Sequence, residues 1–189
     1  KKILSSLKLL NLLNKYQLKE LAENLTNSPM ELVMIDGYIS YKSDSPVLDW
    51  HLDQAYSGKK EINNFVDPDE SIIKFFFYLT SVELNNGCLG YIPGSNKIAY
   101  CLKKLIQNKE IEYAPYWSLE DFRNLIKKEN IKSKIEKLID KELINEFFKN
   151  TQFIDDESID ENKFFFPVPE GSLLVFDEAG AHKGSSPRI

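Results

Sequence analysis

The segment SIIKFFFYLTSVELNNGCLGYIPGSNK, residues 71–97, carries the strongest indication of the fold. Its first part, residues 71–82, is a nearly unbroken apolar and aromatic run, which is typical of a strand buried on both faces inside a layered sheet structure. An Asn-Asn-Gly turn signal follows, then a short strand candidate at residues 88–92 and a Pro-Gly-Ser turn. The segment therefore predicts a β-hairpin and its exit.

The next part of the chain is different in kind and predicts helices. Residues 98–150 are charged and rich in lysine, and their apolar positions recur at helical spacing. Ser118 is a candidate N-cap, because two acidic residues follow it in what would be the first turn. We interpret residues 98–150 as a helical insertion whose interspersed charges form solvated helix faces.

Sequence typical of strands stands on both sides of this insertion. It resumes at residues 163–169 and 172–182, and residues 31–41 form another strand candidate upstream. Leucines at helical spacing predict one or two amphipathic helices over residues 3–25. Strands without βα alternation predict an α+β fold, a β-sandwich or jelly roll with helices packed outside it. We expect residues 1–189 to form one such domain.

The amino-acid composition limits the class of protein and the partners it could bind. Of the 189 residues 42% are hydrophobic, which suits a globular core, and the net charge of −5 gives no electrostatic footprint for nucleic acid. Cys88 and Cys101 form no disulfide framework, and no run approaches the ~20 apolar residues that span a bilayer. We therefore expect a cytoplasmic protein whose partner is a small molecule, with neither nucleic acid nor membrane bound. The sequence carries no signal for an oligomeric state.

The two histidines of the chain, His51 and His182, are the candidate functional residues. His51 and Asp53 are two residues apart, so that in a strand their side chains project to the same face. His182 ends the strand candidate at 172–182, and an antiparallel jelly roll brings strands distant in sequence together. Two imidazoles and one carboxylate make a facial triad suited to non-haem Fe(II), although zinc also takes three protein ligands at catalytic sites.

Three segments, taken together and in this order, resemble the phytanoyl-CoA dioxygenase family of Fe(II)/2-oxoglutarate-dependent oxygenases. They are WHLDQ (50–54), the segment at 71–97 and GSLLVFDEAGAHKGSS (171–186), and the similarity covers about residues 30–188. The resemblance implies a cupin-like double-stranded β-helix.

The resemblance also implies the site. His51, Asp53 and His182 would be the catalytic iron ligands, and 2-oxoglutarate and O2 the co-substrates. Halogenating relatives carry a small residue in place of the carboxylate, so Asp53 favours hydroxylation or another oxidation.

Relatives pair the far carboxylate of 2-oxoglutarate with an arginine beyond the second histidine. Arg188 is the candidate here, but it follows His182 by only six residues, closer than is usual in the family. The expectation is that the true arginine, with a last strand, lies beyond Ile189.

Further co-substrate candidates stand near these motifs. Lys74, Tyr78 and Thr80 share a face of the strand predicted at 71–82, and a lysine or tyrosine there would bind a carboxylate. The alternative is a lysine extending to solvent at a sheet edge and a tyrosine in the core. Gln54 follows the His-x-Asp pair and is a candidate for contact with substrate or co-substrate.

These features predict a dioxygenase that hydroxylates or otherwise oxidises a C–H bond of a small organic substrate, with the helices of 98–150 as its lid. Two alternatives stay open. One is a cupin-like metalloenzyme that does not use 2-oxoglutarate, and the other is a non-catalytic β-sandwich binding module.

Overall fold

The computed structural model describes residue 11 and residues 13–46, 48–53, 71–112, 114 and 116–188. It divides into two compact units, residues 1–40 and residues 41–189. Within these described ranges, none of the helices has both the length and the apolar character that crossing a membrane requires.

The first unit contains a helix, α1 (Leu18–Thr26), preceded by a helical turn at residues 13–15. Gln17, with a φ of 51°, separates the two, and Asn27, with a φ of 53°, ends α1. Left-handed residues break the helical hydrogen-bond pattern, and asparagine tolerates this conformation better than most. The prediction of one or two helices over residues 3–25 is confirmed for the described residues.

The strand predicted at residues 31–41 is wrong. These residues have no regular secondary structure, and their apolar side chains are exposed, Val33 by 78%. A strand exists only through its pairing with a neighbour, and no described residue pairs with this segment. High β-propensity alone did not make it a strand.

The second unit is an α+β structure with antiparallel sheets. Its described strands are β1 (His51–Asp53), β2 (Ile73–Phe77), β3 (Leu89–Tyr91), β4 (Tyr116–Ser118), β5 (Phe165–Phe166), β6 (Leu173–Asp177) and β7 (His182–Gly184). Five of them form a sheet in the order β4-β1-β7-β3-β5, and β2 pairs with β6 in a second sheet.

The register of the five-stranded sheet positions the histidines. His51 lies directly opposite His182, which in turn lies opposite Tyr91 on β3. Directly opposed residues of antiparallel strands project to the same face. His51, His182 and Tyr91 therefore form one row across that face.

Helices cover the other face of the five-stranded sheet. They are α2 (Ser95–Gln107), α3 (Leu119–Lys127), α4 (Glu129–Ile135) and α5 (Lys141–Asn150), followed by short 3-10 helices at Gln152–Ile154 and Glu161–Phe164. Trp50 and Leu52, which alternate with His51 along the chain, belong to the same buried cluster as Phe122 and Phe147 of these helices. Trp50, only 2% exposed, is therefore part of the core.

This packing bears on the lid predicted at residues 98–150. Buried residues of these helices share a cluster with Trp50 and Leu52, which alternate with His51. Asn96 and Tyr100 of α2 also donate hydrogen bonds to Asp177 of β6, and the lid itself stays a prediction. The apolar stripes of these helices explain this packing, because each stripe needs a large apolar surface to cover it. Ser118 caps α3 as predicted, accepting the Asp121 N–H at 3.0 Å. The region also includes the unpredicted strand β4, whose three residues are too few to show a period.

Two details predicted for residues 71–97 are wrong, although its turns are confirmed at residues 84–87 and 93–94. β2 is not buried on both faces, since Phe77 is 38% exposed and its other residues are only partly buried, and β6 is its one partner among the described strands. β2 and β3 also form no hairpin, because they belong to different sheets. An unbroken apolar run does not specify which sheet a strand joins.

Candidate metal centre

The three residues of the predicted triad converge. His51 and Asp53 project from the same face of β1, and His182 begins the neighbouring strand β7. Asp53 lies between the histidines, with Oδ1 3.6 Å from His51 Nε2 and Oδ2 3.6 Å from His182 Nε2. One potential ligand atom from each residue lies within 4.8 Å of the others. This spacing is short enough for one ion to reach all three.

Backbone carbonyls orient both imidazoles. His51 Nδ1 is 2.7 Å from the carbonyl oxygen of Asp49, and His182 Nδ1 is 2.9 Å from that of Gly180. A carbonyl only accepts hydrogen bonds, so each Nδ1 carries the proton in the neutral ring and each Nε2 keeps its lone pair. Both lone pairs are thus available to a metal, the usual arrangement around metal-bound histidines.

Apolar and aromatic groups surround the histidines. The two imidazole centroids are 4.4 Å apart, Tyr116 stacks on His51 at 5.4 Å, and Phe176 lies 5.4 Å from His182. Burial lowers the pKa of His182 to about 4, because a charged imidazole loses its hydration there. The neutral form, which is the metal-binding form, therefore prevails at neutral pH.

The second sheet contributes a lysine to the same space. Lys74 of β2 extends its ammonium to Asp53 Oδ2 at 2.7 Å and to Glu178 Oε2 at 3.1 Å. Burial alone raises the pKa of Asp53, but the hydrogen bond and charge of Lys74 outweigh it and lower this pKa below its usual value. Burial raises the pKa of Glu178, and Lys74 offsets this only in part. The site thus holds two carboxylates and one ammonium beside the imidazoles.

A second lysine, Lys183 of β7, forms ion pairs that link β7 to the residue Asp49 before β1 and to Glu161. Lys183 follows His182 and forms ion pairs with Asp49 Oδ1 at 2.9 Å and Glu161 Oε1 at 3.1 Å. Glu161 also accepts the indole N–H of Trp50. These contacts fix the entry to β1 against β7, and so help to set the spacing of the histidines that the two strands carry.

Tyr78, Thr80 and Arg188, three of the other predicted co-substrate residues, lie in different parts of the structure. Tyr78 is half-buried with its ring 6.4 Å from that of Phe76, and burial raises its pKa to about 12. Thr80 is exposed. Arg188 is exposed and lines a surface pocket with Glu83 and other residues, none of them from the triad. Gln54 lies outside the described residues.

Sequence reasoning missed two contributors to the site. Glu178 stands four residues before His182 in a quoted motif, but its contact with Lys74 depends on the pairing of β2 with β6. Tyr116 belongs to the short strand β4. Neither position carried a signal in the sequence that could have identified it.

An apolar cleft of about 410 Å³ is lined by residues of both sheets, including Tyr91, which lies opposite His182. Its walls include Leu89, Tyr91, Phe166, Leu174 and Phe176. Phe176 belongs both to this cleft and to the surroundings of His182. The cleft therefore offers space for a small molecule next to the histidines.

Two imidazoles and one carboxylate facing one space define a candidate mononuclear metal site of the two-histidine, one-carboxylate class, which suits Fe(II). The family model for phytanoyl-CoA dioxygenase (PhyH) matches residues 8–188, nearly the whole chain. The chain belongs to the phytanoyl-CoA dioxygenase family, as the sequence motifs predicted, and membership implies a dioxygenase-type enzyme that uses Fe(II) and 2-oxoglutarate. Comparison with curated proteins and with solved structures finds no significant match.

Acidification is expected to destabilise the metal-free protein partly through His182. The unfolded chain binds a proton near the ordinary value of 6.5, whereas the folded chain binds it only near pH 4, because burial lowers the pKa of His182 to about 4. This contribution to stability is complete above pH 6.5 and is lost as the pH falls from 6.5 to 4. Urea unfolding at several pH values checks it. The loss over this window should be smaller in His182→Gln, and equal losses in both proteins would contradict the assignment.

Gly180→Ala is expected to disturb the site. A Cβ at this position would collide with the hydroxyl of Tyr91, and the carbonyl of Gly180 orients His182. Overpacking of this kind costs about 1–3 kcal/mol. We expect that loss in urea unfolding, together with weaker Co(II) binding.

Gly184→Ala is the matched control, because a Cβ at Gly184 meets nothing within 4 Å. Its free energy of unfolding should change by less than about 0.5 kcal/mol, as for most substitutions in open positions. Equal effects of the Gly180 and Gly184 substitutions would contradict the role given to Gly180.

Proposed function

We propose that this protein is an Fe(II)- and 2-oxoglutarate-dependent dioxygenase. It hydroxylates or otherwise oxidises an unactivated C–H bond of a small organic substrate and converts 2-oxoglutarate and O2 to succinate and CO2. One observation carries the proposal: His51, Asp53 and His182 of a phytanoyl-CoA dioxygenase family member present their ligand atoms within 4.8 Å of one another.

We further propose that the second unit is a double-stranded β-helix, the jelly roll implied by the resemblance. Along the chain β1, β3, β4, β5 and β7 join one sheet, while β2 and β6 join the other. The chain therefore crosses repeatedly between two antiparallel sheets, as it does in a jelly roll. The triad and Lys74 then lie between the two sheets.

The metal ligands and the carbonyls that orient them have separate roles in the mechanism. His51 and His182 would hold iron through Nε2, and Asp53 through a carboxylate oxygen. Iron bound there supplies the oxidative decarboxylation of 2-oxoglutarate and the oxidation of the substrate. The carbonyls of Asp49 and Gly180 keep both imidazoles in the ligating tautomer.

The surroundings of the triad exclude water and position the substrate. Tyr116 and Phe176 cover the outer sides of the two imidazoles. The apolar cleft beside Phe176 places an apolar part of the substrate next to the histidines. A substrate held in such a cleft reacts at the bond that the cleft presents to the metal.

Anaerobic titration with Fe(II) and 2-oxoglutarate tests the proposal. The iron chelate of 2-oxoglutarate gives a weak visible charge-transfer band, which we expect in the wild type and not in His182→Ala. Iron binding without this band would favour the cupin-like metalloenzyme that does not use 2-oxoglutarate. Absence of iron binding would overturn the enzyme assignment and favour a non-catalytic β-sandwich.

A further inference from the structure

Lys74 is the one residue of β2 whose charge reaches the triad among the described contacts. Its ammonium is 2.7 Å from Asp53 Oδ2, within the range of a charge-assisted hydrogen bond. Among the hydrogen bonds between described residues, this is the one that Asp53 accepts through its side chain. Each carboxylate oxygen lies 3.6 Å from one imidazole Nε2, but among the described contacts Oδ2 alone also accepts the Lys74 ammonium, so the two oxygens are unequal.

Glu178 fixes the other side of the ammonium. Its Oε2 is 3.1 Å from Lys74 Nζ, and the residue is only 8% exposed. The pairing of β2 with β6 sets this distance, because Lys74 lies opposite Phe176 and Ile73 opposite Asp177. Lys74 thus stands between two carboxylates that come from different sheets.

We propose that Lys74 is a positioning residue that holds Asp53 Oδ2, so that Asp53 offers Oδ1 to the metal, and that Glu178 keeps Lys74 in this position. The inference rests on the proposed function in taking Asp53 as a metal ligand. It is an alternative to the prediction that Lys74 binds 2-oxoglutarate, and it rests on both described partners of Lys74 being protein carboxylates. Outer partners of this kind orient a ligand before the metal arrives.

The chemistry gives Lys74 two opposing effects on a bound cation. Its positive charge repels a metal ion, whereas its hydrogen bond fixes the carboxylate in one orientation. The proposal requires the second effect to exceed the first. Removing Lys74 must then weaken metal binding, although simple charge repulsion predicts tighter binding.

Co(II) titration, followed by the visible d–d absorption, tests this without 2-oxoglutarate and without turnover. We expect Lys74→Met to weaken Co(II) binding about 10–100-fold, the usual effect of losing an outer partner. The d–d intensity should also change, because a carboxylate released at Oδ2 can offer the metal both oxygens. A purely structural lysine would leave this spectrum unchanged.

Lys74→Met also removes the ion pair between Lys74 and the buried carboxylate of Glu178, and such a loss destabilises a fold. The double variant Lys74→Met/Glu178→Gln removes that charge while keeping the shape of both side chains. It should fold and show the same weakened Co(II) binding and altered spectrum. Lys134→Met is the matched control, because Lys134 pairs with Glu110 and with no residue of the triad.

The outcomes separate this proposal from the proposed function. If the wild type binds no Co(II), the metal site itself fails. If the wild type binds Co(II) and the double variant binds it equally or more tightly with the same spectrum, the positioning role is overturned. Unchanged Co(II) binding combined with weaker 2-oxoglutarate binding would return Lys74 to a co-substrate role.

Discussion

His182→Ala is expected to reduce 2-oxoglutarate turnover by more than about 100-fold, beyond the range typical for loss of an outer partner of a metal ligand. His182 supplies one of the two imidazoles of the candidate site, and no third histidine exists in the chain to replace it. Fe(II) should bind the variant weakly or not at all. Succinate release under air, with added Fe(II), measures the effect.

Lys134→Ala provides the control for this experiment, because Lys134 pairs with Glu110 away from the site. Its succinate release should match that of the wild type. If His182→Ala retained wild-type turnover, the second histidine would not be a ligand and the facial triad would be wrong.

Phe122→Ala is expected to cost about 3–5 kcal/mol of unfolding free energy, the usual loss for a large buried aromatic side chain. Phe122 is 0% exposed and its ring lies 5.7 Å from that of Trp117 and 5.6 Å from that of Phe147. The cavity left behind would lie in the core that supports the five-stranded sheet. Urea unfolding of the metal-free protein measures the loss.

Phe77→Ala removes the same side chain from a position that is 38% exposed on β2. Its loss should be clearly smaller, since less apolar surface leaves water at that position on folding. Similar losses for Phe122 and Phe77 would mean that the helices do not form the main core with the five-stranded sheet.

The sequence predicted the triad because local and non-local signals agreed. The spacing of His51 and Asp53 places both on one face of any strand, whatever its partners. Placing His182 beside them needed an antiparallel fold, which the family resemblance implied and which the pairing of β1 with β7 provides. The convergence of these three residues was therefore predictable from the motifs in their order.

What the sequence missed depends on pairing between distant strands. The environment of Lys74 comes from the register of β2 with β6, which alone brings Glu178 within reach. The strand predicted at 31–41 was wrong because this segment, despite its β-propensity, pairs with no strand among the described residues.

Crystals grown anaerobically with Fe(II) allow the iron to be located by anomalous diffraction at its absorption edge. We predict a single strong peak bounded by Nε2 of His51, Nε2 of His182 and the carboxylate of Asp53. A peak elsewhere, or no peak at this position in crystals of protein loaded with stoichiometric iron, would contradict the assignment of these three residues as the iron site.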